Sequence, residues 1–450
     1  MAMGFTLPEE IQNVLNKFKE AGFDIYIVGG SVRDLFMERI VHDWDFTTTA
    51  KPEEILKLFP DGFCDNKFGT VGIPIQVGEA QVLEITTMRK EGDYSDSRHP
   101  VDVSWTDKIE EDLARRDFTI NAIALSGDEK IIDPFKGQED LQNKLIRAVG
   151  VPENRFSEDA LRLMRAVRIA AQLGFRIEDT TFQAIKNNAD LIEKIAHERI
   201  RDELLKIMAS KNSYEGIIKL REAGITQIIL PELEKTFGIV QEGPKHARVY
   251  DIGEHSLLTL KETPSNDSIV KLAALLHDIG KTDTMRVESD GNVTFYNHEV
   301  MGGRLVLDIA KRFNLSKKQT DKLFRLVRWH LFTVDENQTD AAIRRFIKNV
   351  GLENVDDALA LRIGDRLGGG TTKAVSWRME RFKDRIKQVL TKPFSISDLK
   401  VNGKDIMETL NIPPSPKVGE ILQKLFEEVL EDNTKNNREY LLEKIKDFDR

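Results

Sequence analysis

The N-terminal part of the chain alternates short apolar runs with turn residues. DIYIVGG (24–30) is typical of a buried strand that enters a tight glycine turn, and SVRDLFM after it is typical of the first turns of a helix. QVLEITTMR (81–89) is rich in β-branched residues and predicts a second strand, and VDVSW (101–105) predicts a third. Further on, apolar residues recur at helical spacing, as in FSEDALRLMRAVRIAAQLGF (156–175). The pattern predicts strands mixed with helices at the start of the chain and helices after them.

Two aspartates, Asp43 and Asp45, stand one residue apart in HDWDFTT, shortly after the glycine turn. If this segment continues as a strand, their side chains share one face and Trp44 points to the other. Paired carboxylates on one face are suited to hold Mg²⁺ ions that activate a hydroxyl group and stabilise a leaving pyrophosphate. Acidic residues near strand ends are also common as solvated caps. The order of strand, glycine turn, helix and D-x-D between Gly29 and Asp45 favours the metal site.

The glycine turn and the next predicted strand supply further groups for the same site. Backbone N–H groups at Gly29 and Gly30 are available to phosphate oxygens, and Arg33, one turn into the helix, adds a charged fork. A triphosphate is therefore the expected ligand. Glu84 lies in the segment 81–89, and a strand adjacent to that of the two aspartates would make Glu84 a third carboxylate. An exposed strand glutamate is an equally good interpretation, because periodicity does not fix which face points inward.

DLARRDFTINAIAL (112–125) predicts an apolar helix preceded by a polar group of residues. Arg115, Arg116 and Asp117 come before this helix, and Asn121 falls on its first turns. Arginine can bind phosphate, and aspartate or asparagine can bind a ribose hydroxyl. A capped amphipathic helix with a solvated polar end explains the same pattern, so the sequence leaves both interpretations open.

The segment 156–175 carries charged residues at steps of three and four, which on one helix would line one face. Such a stripe usually means surface ion pairs. Asp159 only accepts and Arg162 only donates hydrogen bonds, so together they match cytosine and adenine, which place an amino group beside a ring-nitrogen acceptor. Uracil and guanine would leave buried polar groups unsatisfied. The candidate nucleotide-binding residues of this segment are Glu158, Asp159, Arg162, Arg165 and Arg168.

Composition limits the classes of protein to which the chain can belong. With 450 residues and 40% hydrophobic content it can form about two to four packed domains. No run approaches the roughly 18 to 20 apolar residues of a membrane helix, and MAMGFTLPEE lacks a secretory pattern, so we expect a cytoplasmic protein. The single cysteine, Cys64, excludes an intramolecular disulfide and a cysteine-rich zinc site. Any metal must be bound by oxygen and nitrogen ligands.

The charge distribution is uneven. The formal net charge of −9 does not favour nucleic-acid binding, but residues 371–392 contain seven Lys/Arg against two acidic residues. A helix over this range could follow a phosphate backbone. A solvated surface helix with ion pairs is the more common meaning of such a run.

With these residues in place, the chain resembles the class II tRNA nucleotidyltransferases, the CCA-adding enzymes, over nearly its whole length. GGSVRD with D-W-D is similar to their catalytic motif, and DLARRDFTINAIA to their ribose-reading motif. DPFKGQEDLQNKLIR resembles the hinge motif, EDALRLMRAVR the amino-acid template, and HERIRDELLKIM the helical motif that follows. The resemblance implies that Asp43 and Asp45 bind the metal. It also implies nucleotide contacts from Gly30, Arg33, Arg116, Asp159, Arg162, Arg165 and Arg168.

The resemblance further implies an α+β fold with four regions. The first is a polymerase-β-like nucleotidyltransferase head with a small mixed sheet (1–148), and the second is a helical neck with the base-recognition helix (149–222). A helical body with an HD-type metal site (223–372) and a helical tail that binds tRNA (373–450) follow.

A second group of metal-ligating residues lies in the expected body. EHSLLTL, LAALLHDIGKTD and ALRIGDRLGG place histidines and carboxylates in the order typical of HD-family metal phosphohydrolases. Imidazole and carboxylate ligands suit a divalent transition metal, and His298 and His330 would complete a second metal position. The resemblance implies hydrolytic activity in some relatives and a scaffold role in others, and both stay open here. The predicted ligands are His255, His277, Asp278 and Asp365.

These observations predict an enzyme that adds C, C and A to tRNA 3′ ends from CTP and ATP, with Mg²⁺ as cofactor. An enzyme that adds only A, or a bacterial poly(A) polymerase, is the alternative within the transferases. The form of DNKFGTVGI (65–73) and a full-length loop MRKEGDYSDSRHP (88–100) favour CCA addition. An HD phosphohydrolase with an inactive head is a different alternative, disfavoured by the intact motifs. An RNA-binding scaffold is disfavoured because paired carboxylates would repel phosphate.

Overall fold

The structure is a computed structural model that describes part of the chain. The described residues are 7–64, 69–78, 82–91, 103–241, 250–289, 291, 293–334, 338–371, 377–390 and 396–449. The chain divides into two compact units, Met1–Pro231 and Glu232–Arg450. Within the described residues, no helix combines the length and apolar character that crossing a membrane requires.

The first unit contains a mixed β-sheet at its centre. Its strands, with those of two small ladders, are β1 (Ile25–Val28), β2 (Asp45–Thr48), β3 (Phe63–Cys64), β4 (Thr70–Ile73), β5 (Leu83–Thr87), β6 (Arg89–Glu91), β7 (Val103–Trp105), β8 (Ala124–Ser126), β9 (Ile131–Ile132), β10 (Leu145–Ile146) and β11 (Arg176–Ile177). Seven strands form the sheet in the order β3-β4-β5-β2-β1-β8-β9. Within this seven-stranded sheet, β2 and β5 are parallel and all other neighbouring strands are antiparallel.

The first unit also contains eleven α-helices among its described residues. They are α1 (Glu9–Glu20), α2 (Gly30–Phe36), α3 (Pro52–Leu58), α4 (Ile109–Ala114), α5 (Gly137–Gln142), α6 (Pro152–Glu158), α7 (Leu161–Leu173), α8 (Asp179–Asn187), α9 (His197–Met208), α10 (Ser213–Glu222) and α11 (Ile225–Ile229). Phe18 of α1 and Ile55 of α3 are fully buried, as are Ile27 of β1 and Ile85 of β5. This apolar packing buries one face of the sheet. On the other face, Val28 and Ala124 are buried against Ile109 and Leu113 of α4, and the strand ends next to them carry polar groups.

Two expectations about helices in the first unit are wrong. The predicted apolar helix after Asp117 is a single 3-10 turn, Thr119–Asn121, followed by β8, which pairs with β1. Its apolar residues are buried in the sheet, and a short fully buried run has the same composition in a strand as in a helix.

The predicted helix 156–175 is also interrupted, because α6 ends at Glu158 and α7 begins at Leu161. Asp159 between them has an extended backbone, with φ −137° and ψ 103°. Its carboxylate accepts a hydrogen bond from the Leu161 N–H group at 3.1 Å and so terminates α6 while starting α7. Asp159 therefore does not belong to a continuous helical stripe.

The second unit is mostly helical. A short helix, α12 (Pro231–Glu234), spans the division between the units, which falls inside the range 223–372 assigned above to the body. The further elements are β12 (Val240–Gln241), β13 (Tyr250–Asp251), α13 (Ile252–Glu262), α14 (Ser268–Leu276), α15 (Lys281–Thr284), β14 (Arg286–Val287), β15 (Val293–Thr294), α16 (His298–Arg312), α17 (Lys317–Arg328), α18 (Asp340–Val350), α19 (Val355–Gly368), α20 (Trp377–Leu390), α21 (Gly403–Leu410), α22 (Pro416–Glu431) and α23 (Arg438–Lys446). The strands form two short antiparallel ladders.

Helices α13 and α19 cross at close range because α19 presents glycine at the crossing. A Cβ atom on Gly364 would lie 2.8 Å from the Thr259 carbonyl oxygen, and one on Gly368 would lie 2.7 Å from the Thr259 nitrogen. Both contacts are with backbone, which cannot move aside cheaply. The crossing brings His255 of α13 within 3.3 Å of Asp365 of α19. The glycines of ALRIGDRLGG therefore position a candidate metal site.

We expect Gly364→Ala to lower the free energy of unfolding by about 2 to 4 kcal/mol, because the added methyl group forces α13 and α19 apart. Gly419→Ala on α22 is the matched control, since a Cβ there meets no atom within 4 Å. That control should be neutral or stabilising by about 0.5 to 1 kcal/mol. Thermal unfolding of both variants checks the prediction, and equal melting temperatures would contradict it.

Candidate functional site

The three predicted carboxylates lie at one place on the sheet of the first unit. Asp45 is the first residue of β2, and its Cα is paired directly with that of Glu84 in β5. Paired residues of neighbouring strands point to the same face, so both carboxylates project from the face opposite the buried Phe46 and Ile85. Asp43 precedes the strand and is exposed. The structure thus brings Glu84 to Asp45, as predicted, but Asp43 reaches the group from the connecting segment.

Ser31 fixes this connecting segment to the glycine turn. Its buried hydroxyl donates to the Asp43 carbonyl oxygen and accepts from the Asp45 N–H group, each at 2.9 Å. Trp44 between them is buried, with 4% of its surface exposed, whereas Asp43 is exposed. One hydroxyl group therefore sets the backbone positions of both aspartates relative to α2.

The glycine turn lies directly against the carboxylates. Gly29 has φ +72°, a conformation that disfavours any residue with a side chain. A Cβ atom at this position would lie 3.2 Å from Asp45 Oδ2 and 3.1 Å from Arg116 Nη1. Gly29 thus lies beside both a carboxylate and a guanidinium group, so phosphate oxygens of a ligand at this turn would also be close to Arg116.

The electrostatic environment of Asp45 matches a cation-binding position. The pKa of Asp45 is raised to about 6, chiefly by burial; Arg116 opposes this rise, and the charges of Glu84 and Asp43 add to it. Among the described residues, the groups whose ligand atoms lie within 4.8 Å of one another are both in the second unit, so the head carboxylates are more widely spaced. Oxygen ligands with mutual repulsion fit a hard divalent cation such as Mg²⁺.

A chain of polar contacts extends from α2 to α7. Arg33 forms a bidentate pair with Asp34 at 2.9 and 3.0 Å and donates to Asn121 Oδ1 at 3.0 Å. Asn121 donates to Asp117, whose other oxygen lies 2.7 Å from Arg165 Nε. Burial alone would raise the pKa of Asp117, but Arg165 and the Asn121 hydrogen bond outweigh it and lower the pKa. The predicted ribose-reading and base-reading residues therefore form one network.

Asp159 and Arg162, the predicted base-reading residues, each bond to other neighbouring groups. Asp159 Oδ2 lies 3.1 Å from Arg199 Nη2, on α9. Arg162 Nη1 pairs with Glu158 at 2.6 Å, and Arg162 Nη2 donates to the Arg115 carbonyl oxygen at 2.9 Å. The break between α6 and α7 turns the two side chains toward different partners.

Arg168 contacts side chains of α7 and α9. Its Nε pairs with Glu203 of α9 at 2.6 Å, and its Nη1 donates to Gln172 at 2.9 Å. These contacts are those of a residue that fixes α7 against α9. Two segments favour CCA addition on the basis of their sequence, DNKFGTVGI and the loop 88–100. Residues 65–68 of the first and 92–100 of the second lie outside the described residues.

In the second unit, six residues form a compact group that we call the HD cluster. Its first half is His255, His277 and Asp365, and its second half is Asp278, His298 and His330. Asp278 joins the halves, because its Oδ2 lies 3.2 Å from His277 Nε2 and its Oδ1 lies 3.3 Å from His298 Nε2. All four predicted ligands and both additional histidines therefore come together.

The hydrogen bonds of the imidazoles prepare them to bind metal. Nδ1 of His277, His298 and His330 each faces a backbone carbonyl oxygen at 2.9, 2.9 and 2.7 Å. A carbonyl oxygen only accepts, so Nδ1 carries a proton in each ring and Nε2 is the nitrogen that faces Asp278, where it would bind a metal ion. Burial lowers the pKa of His330 to about 3, which keeps that ring neutral. Neutral imidazoles with carboxylates fit a divalent transition metal.

Sequence reasoning missed several residues that shape these sites. Ser31 was visible within GGSVRD, but a serine after a glycine turn carries no signal of a bridge to a segment twelve residues away. Arg199, the partner of Asp159, stands in HERIRDELLKIM without a distinguishing pattern. Lys281 follows His277-Asp278 and lies 2.6 Å from Asp278 and from Gln241. Burial alone would raise the pKa of Asp278, but His277 and Lys281 outweigh it and hold the pKa well below its ordinary value.

Comparison with known proteins gives consistent matches along the chain. A family model described as Poly A polymerase head domain matches residues 25–147, one for the HD domain matches 246–367, and one for tRNA nucleotidyltransferase domain 2 matches 308–445. The CCA-adding enzyme of Ligilactobacillus salivarius is 34% identical over 451 residues, which cover 98% of this chain and 97% of that protein.

Solved structures agree with this result. The Bacillus stearothermophilus CCA-adding enzyme in complex with CTP is similar at a TM-score of 0.73 and 26% identity, with 99% of this chain and 98% of that chain covered. The Thermotoga maritima CCA-adding enzyme complexed with a tRNA shares the fold at a TM-score of 0.59 and 20% identity, with 98% and 96% covered. These similarities extend over both units, each of which has its counterpart in the relatives.

We expect Asp45→Asn to stabilise the protein in buffer that contains EDTA. Because the folded-state pKa of Asp45 is raised to about 6, ionisation of this carboxyl weakens the folded state, and the penalty grows as the pH rises from about 4 to 6. Urea unfolding at pH 8 should show a gain of about 1 to 3 kcal/mol, which disappears near pH 4. Asp61→Asn, at an exposed position, is the control. A gain that does not change with pH would contradict the assignment.

Proposed function

The chain belongs to the CCA-adding enzyme family, and we propose that it adds C, C and A to the 3′ end of tRNA, using CTP and ATP without a nucleic-acid template. Two observations support this activity: a CCA-adding enzyme matches 98% of the chain, and a similar solved structure is a CCA-adding enzyme in complex with CTP. The observation that carries the proposal is the strand register that pairs Asp45 with Glu84, beside the turn at Gly29. In the reaction, the terminal 3′-hydroxyl oxygen bonds to the α-phosphorus of the nucleotide as the bond to pyrophosphate breaks.

Asp43, Asp45 and Glu84 would hold Mg²⁺ in this reaction. The chemistry supplied by bound Mg²⁺ is activation of the attacking hydroxyl and neutralisation of charge on the departing pyrophosphate, in a two-metal arrangement. The fixed backbone of Asp43 and Asp45, bridged by Ser31, keeps the carboxylates in place before the substrates arrive. Their mutual repulsion, expressed in the raised pKa of Asp45, makes cation binding more favourable.

The triphosphate would lie along the glycine turn. Backbone N–H groups of Gly29 and Gly30 face it, and Arg116, which flanks Gly29, neutralises part of its charge. Arg33 is engaged with Asp34 and Asn121, so its role is to fix α2 to the segment that carries Asp117. Asp117 and Asn121, which are joined by a hydrogen bond, would bind a ribose hydroxyl.

Base choice would depend on Asp159 and Arg162 at the junction of α6 and α7. Arg199 and the Leu161 N–H group orient the Asp159 carboxylate, which still has lone pairs to accept from a base amino group. Among the described residues, Arg162 donates to Glu158 and to two backbone carbonyl oxygens, which uses three of its five N–H groups. The other two could donate to a ring nitrogen of the base. Arg165 and Arg168 support this arrangement through Asp117 and Glu203.

The assignment of regions follows from this function. We propose the head (1–148), neck (149–222), body (223–372) and tail (373–450) as functional divisions, with the tail holding the distant part of the tRNA. The tail has its own apolar core, formed by Leu425, Ile406 and Leu441 among others, which gives it the rigidity such a grip needs. A cytoplasmic location, where tRNA is processed, fits the same proposal.

A second activity, hydrolysis of phosphate esters, is favoured by the HD cluster. Asp278 bridges two ligand groups whose atoms lie close enough for two metal ions. In such a centre the protein's part is to hold neutral imidazoles and carboxylates in a buried position, with Lys281 balancing the charge of Asp278. The substrate would be a phosphate monoester or a cyclic phosphodiester, with water as the nucleophile.

We expect Asp43→Ala to reduce nucleotide incorporation by about 10³-fold or more while it leaves nitrophenyl-phosphate hydrolysis unchanged. Asp278→Asn, which conserves shape in the buried cluster, should do the reverse. The measurement uses tRNA without its CCA end, labelled CTP and ATP, and Mg²⁺, with the product length read one nucleotide at a time.

The wild-type product separates the candidate functions. Addition of C, C and A followed by arrest supports the proposal. Addition of A alone to tRNA that ends in CC identifies an A-adding enzyme, and long A tails identify a poly(A) polymerase. Hydrolysis without incorporation would mean that the HD cluster is the active centre and the head is inactive.

We expect Asp159→Ala to weaken the discrimination against UTP and GTP by about 10-fold or more, because the acceptor that selects the base amino group is lost. The affinity for CTP should change less than the discrimination does. Arg199→Lys tests the positioning of Asp159, and it should produce a smaller change of the same kind. Unchanged rejection of UTP and GTP by Asp159→Ala would exclude this residue from base selection.

A further inference from the structure

One row of paired residues crosses the sheet of the first unit from its edge to the carboxylates. Phe63 of β3 is paired with Gly72 of β4, Gly72 with Glu84 of β5, and Glu84 with Asp45 of β2. Side chains of residues paired in this way point to the same face of a sheet. Phe63, Gly72, Glu84 and Asp45 therefore lie in one line on the face that carries the candidate catalytic carboxylates.

The Cζ end of the Phe63 ring lies over Gly72, and the ring remains accessible. A Cβ atom on Gly72 would be 2.6 Å from Phe63 Cζ, so the ring occupies the space that a side chain at position 72 would take. Phe63 nevertheless keeps 49% of its surface exposed. On the opposite face, Val71 and Ile85 are fully buried. The ring is thus outside the apolar core and open on its outer side.

The same face of the sheet carries polar groups near Gly72. On the next row of the same face, the hydroxyl groups of Thr70 and Thr86 lie 3.0 Å apart. Adjacent strands are about 4.8 Å apart, so the ring over Gly72 is roughly one strand spacing from Glu84. Single exposed apolar residues are common on protein surfaces. This one is distinguished by its position, next to a carboxylate of the candidate active site and over a residue without a side chain.

The geometry of phosphoryl transfer relates the position of Phe63 to the RNA acceptor. The attacking and leaving oxygens lie on opposite sides of the phosphorus atom. The glycine turn that would hold the leaving pyrophosphate follows β1, on one side of Asp45 in the sheet order, and β5, β4 and β3 lie on the other side. If the pyrophosphate leaves along the glycine turn, the 3′-hydroxyl would approach from the side of Glu84, and the last nucleotide of the RNA would then lie over Gly72 and Phe63.

We propose that Phe63 stacks on the 3′-terminal base of the RNA acceptor, with the bare backbone of Gly72 allowing its ribose to approach Glu84. This inference rests on the proposed nucleotidyl transfer. The terminal base of the acceptor changes as each nucleotide is added, so its site must accept different bases. Stacking on an aromatic ring does so, because every base has a π-face, whereas hydrogen bonds to base edges would select one base.

The experiment compares Phe63→Ala, Phe63→Leu and Phe63→Tyr in the full-length protein. Phe63→Ala should raise the KM for tRNA ending in CC by about 5- to 100-fold, with the KM for ATP unchanged. Phe63→Leu keeps an apolar group over Gly72 without a flat ring and should stay impaired. Phe63→Tyr keeps the ring and should restore the wild-type value.

An acceptor with an abasic 3′-terminal nucleotide provides the second readout. In the wild type, loss of the terminal base should raise the KM by the same factor as Phe63→Ala does. The two changes combined should add nothing further, because both remove the same contact. This dependence on the substrate base would not arise from a purely structural role of Phe63.

The outcomes separate this inference from the function on which it rests. If the wild type incorporates no nucleotide, the proposed transfer itself is wrong. If the wild type is active and Phe63→Ala has the wild-type KM for tRNA, or if Phe63→Leu restores it, the stacking role is overturned. Independent, multiplicative effects of the abasic acceptor and Phe63→Ala would overturn it as well. Should Phe63→Ala unfold, the comparison of leucine with tyrosine still decides the question.

Discussion

The candidate active site depends on one constraint, the direct pairing of β2 with β5. This register sets Asp45 beside Glu84, two groups that repel each other when ionised. The sheet tolerates the repulsion because its opposite face is buried through Phe46 and Ile85, and a shift by one residue would turn those apolar side chains outward. Burial of these apolar side chains therefore keeps Asp45 and Glu84 side by side. A bound cation would replace the repulsion between them by attraction to the cation.

Hydrogen bonds and ion pairs connect this strand pair to other elements of the first unit. Ser31 connects the glycine turn with the backbone on either side of Trp44, and Arg116 borders the turn next to Asp45. Asn121 and Asp117 continue the chain of contacts to Arg165 on α7. Substrate groups that bind at any of these points would meet side chains that are already oriented. The ligands of the HD cluster are also oriented in advance. The glycines of α19 allow the close helix crossing, and backbone carbonyl oxygens accept hydrogen bonds from the imidazoles.

Much of the site could be predicted from the sequence because its residues lie in short local motifs. The strand and turn of DIYIVGG, the aspartates after it, and the six residues of the HD cluster are each marked by residue types with few alternative uses. The pairing of Glu84 was predictable only as one of two equal interpretations, since alternation does not reveal the inner face. The fold class follows the expectation of a mixed-sheet head and a helical remainder, as the similarity to solved CCA-adding enzymes confirms.

The errors share a cause, which is competition from tertiary structure. The segment after Asp117 joins the sheet instead of forming a helix because β1 offers it a pairing partner. Asp159 interrupts a pattern that is otherwise helical because its carboxylate caps the next helix and meets Arg199, forty residues away in sequence. Ser31 and Phe63 could not be recognised, because their importance lies in contacts across the sheet that local sequence does not encode.

The most direct test of the account is the position of metal ions in a crystal of the protein with CTP and Mn²⁺, located by anomalous scattering. We expect density that is bound by oxygen atoms of Asp43 and Asp45, next to Glu84, with the triphosphate along Gly29 and Gly30. A nucleotide bound elsewhere, or Mn²⁺ in the HD cluster alone while the head carboxylates bind no metal, would contradict it.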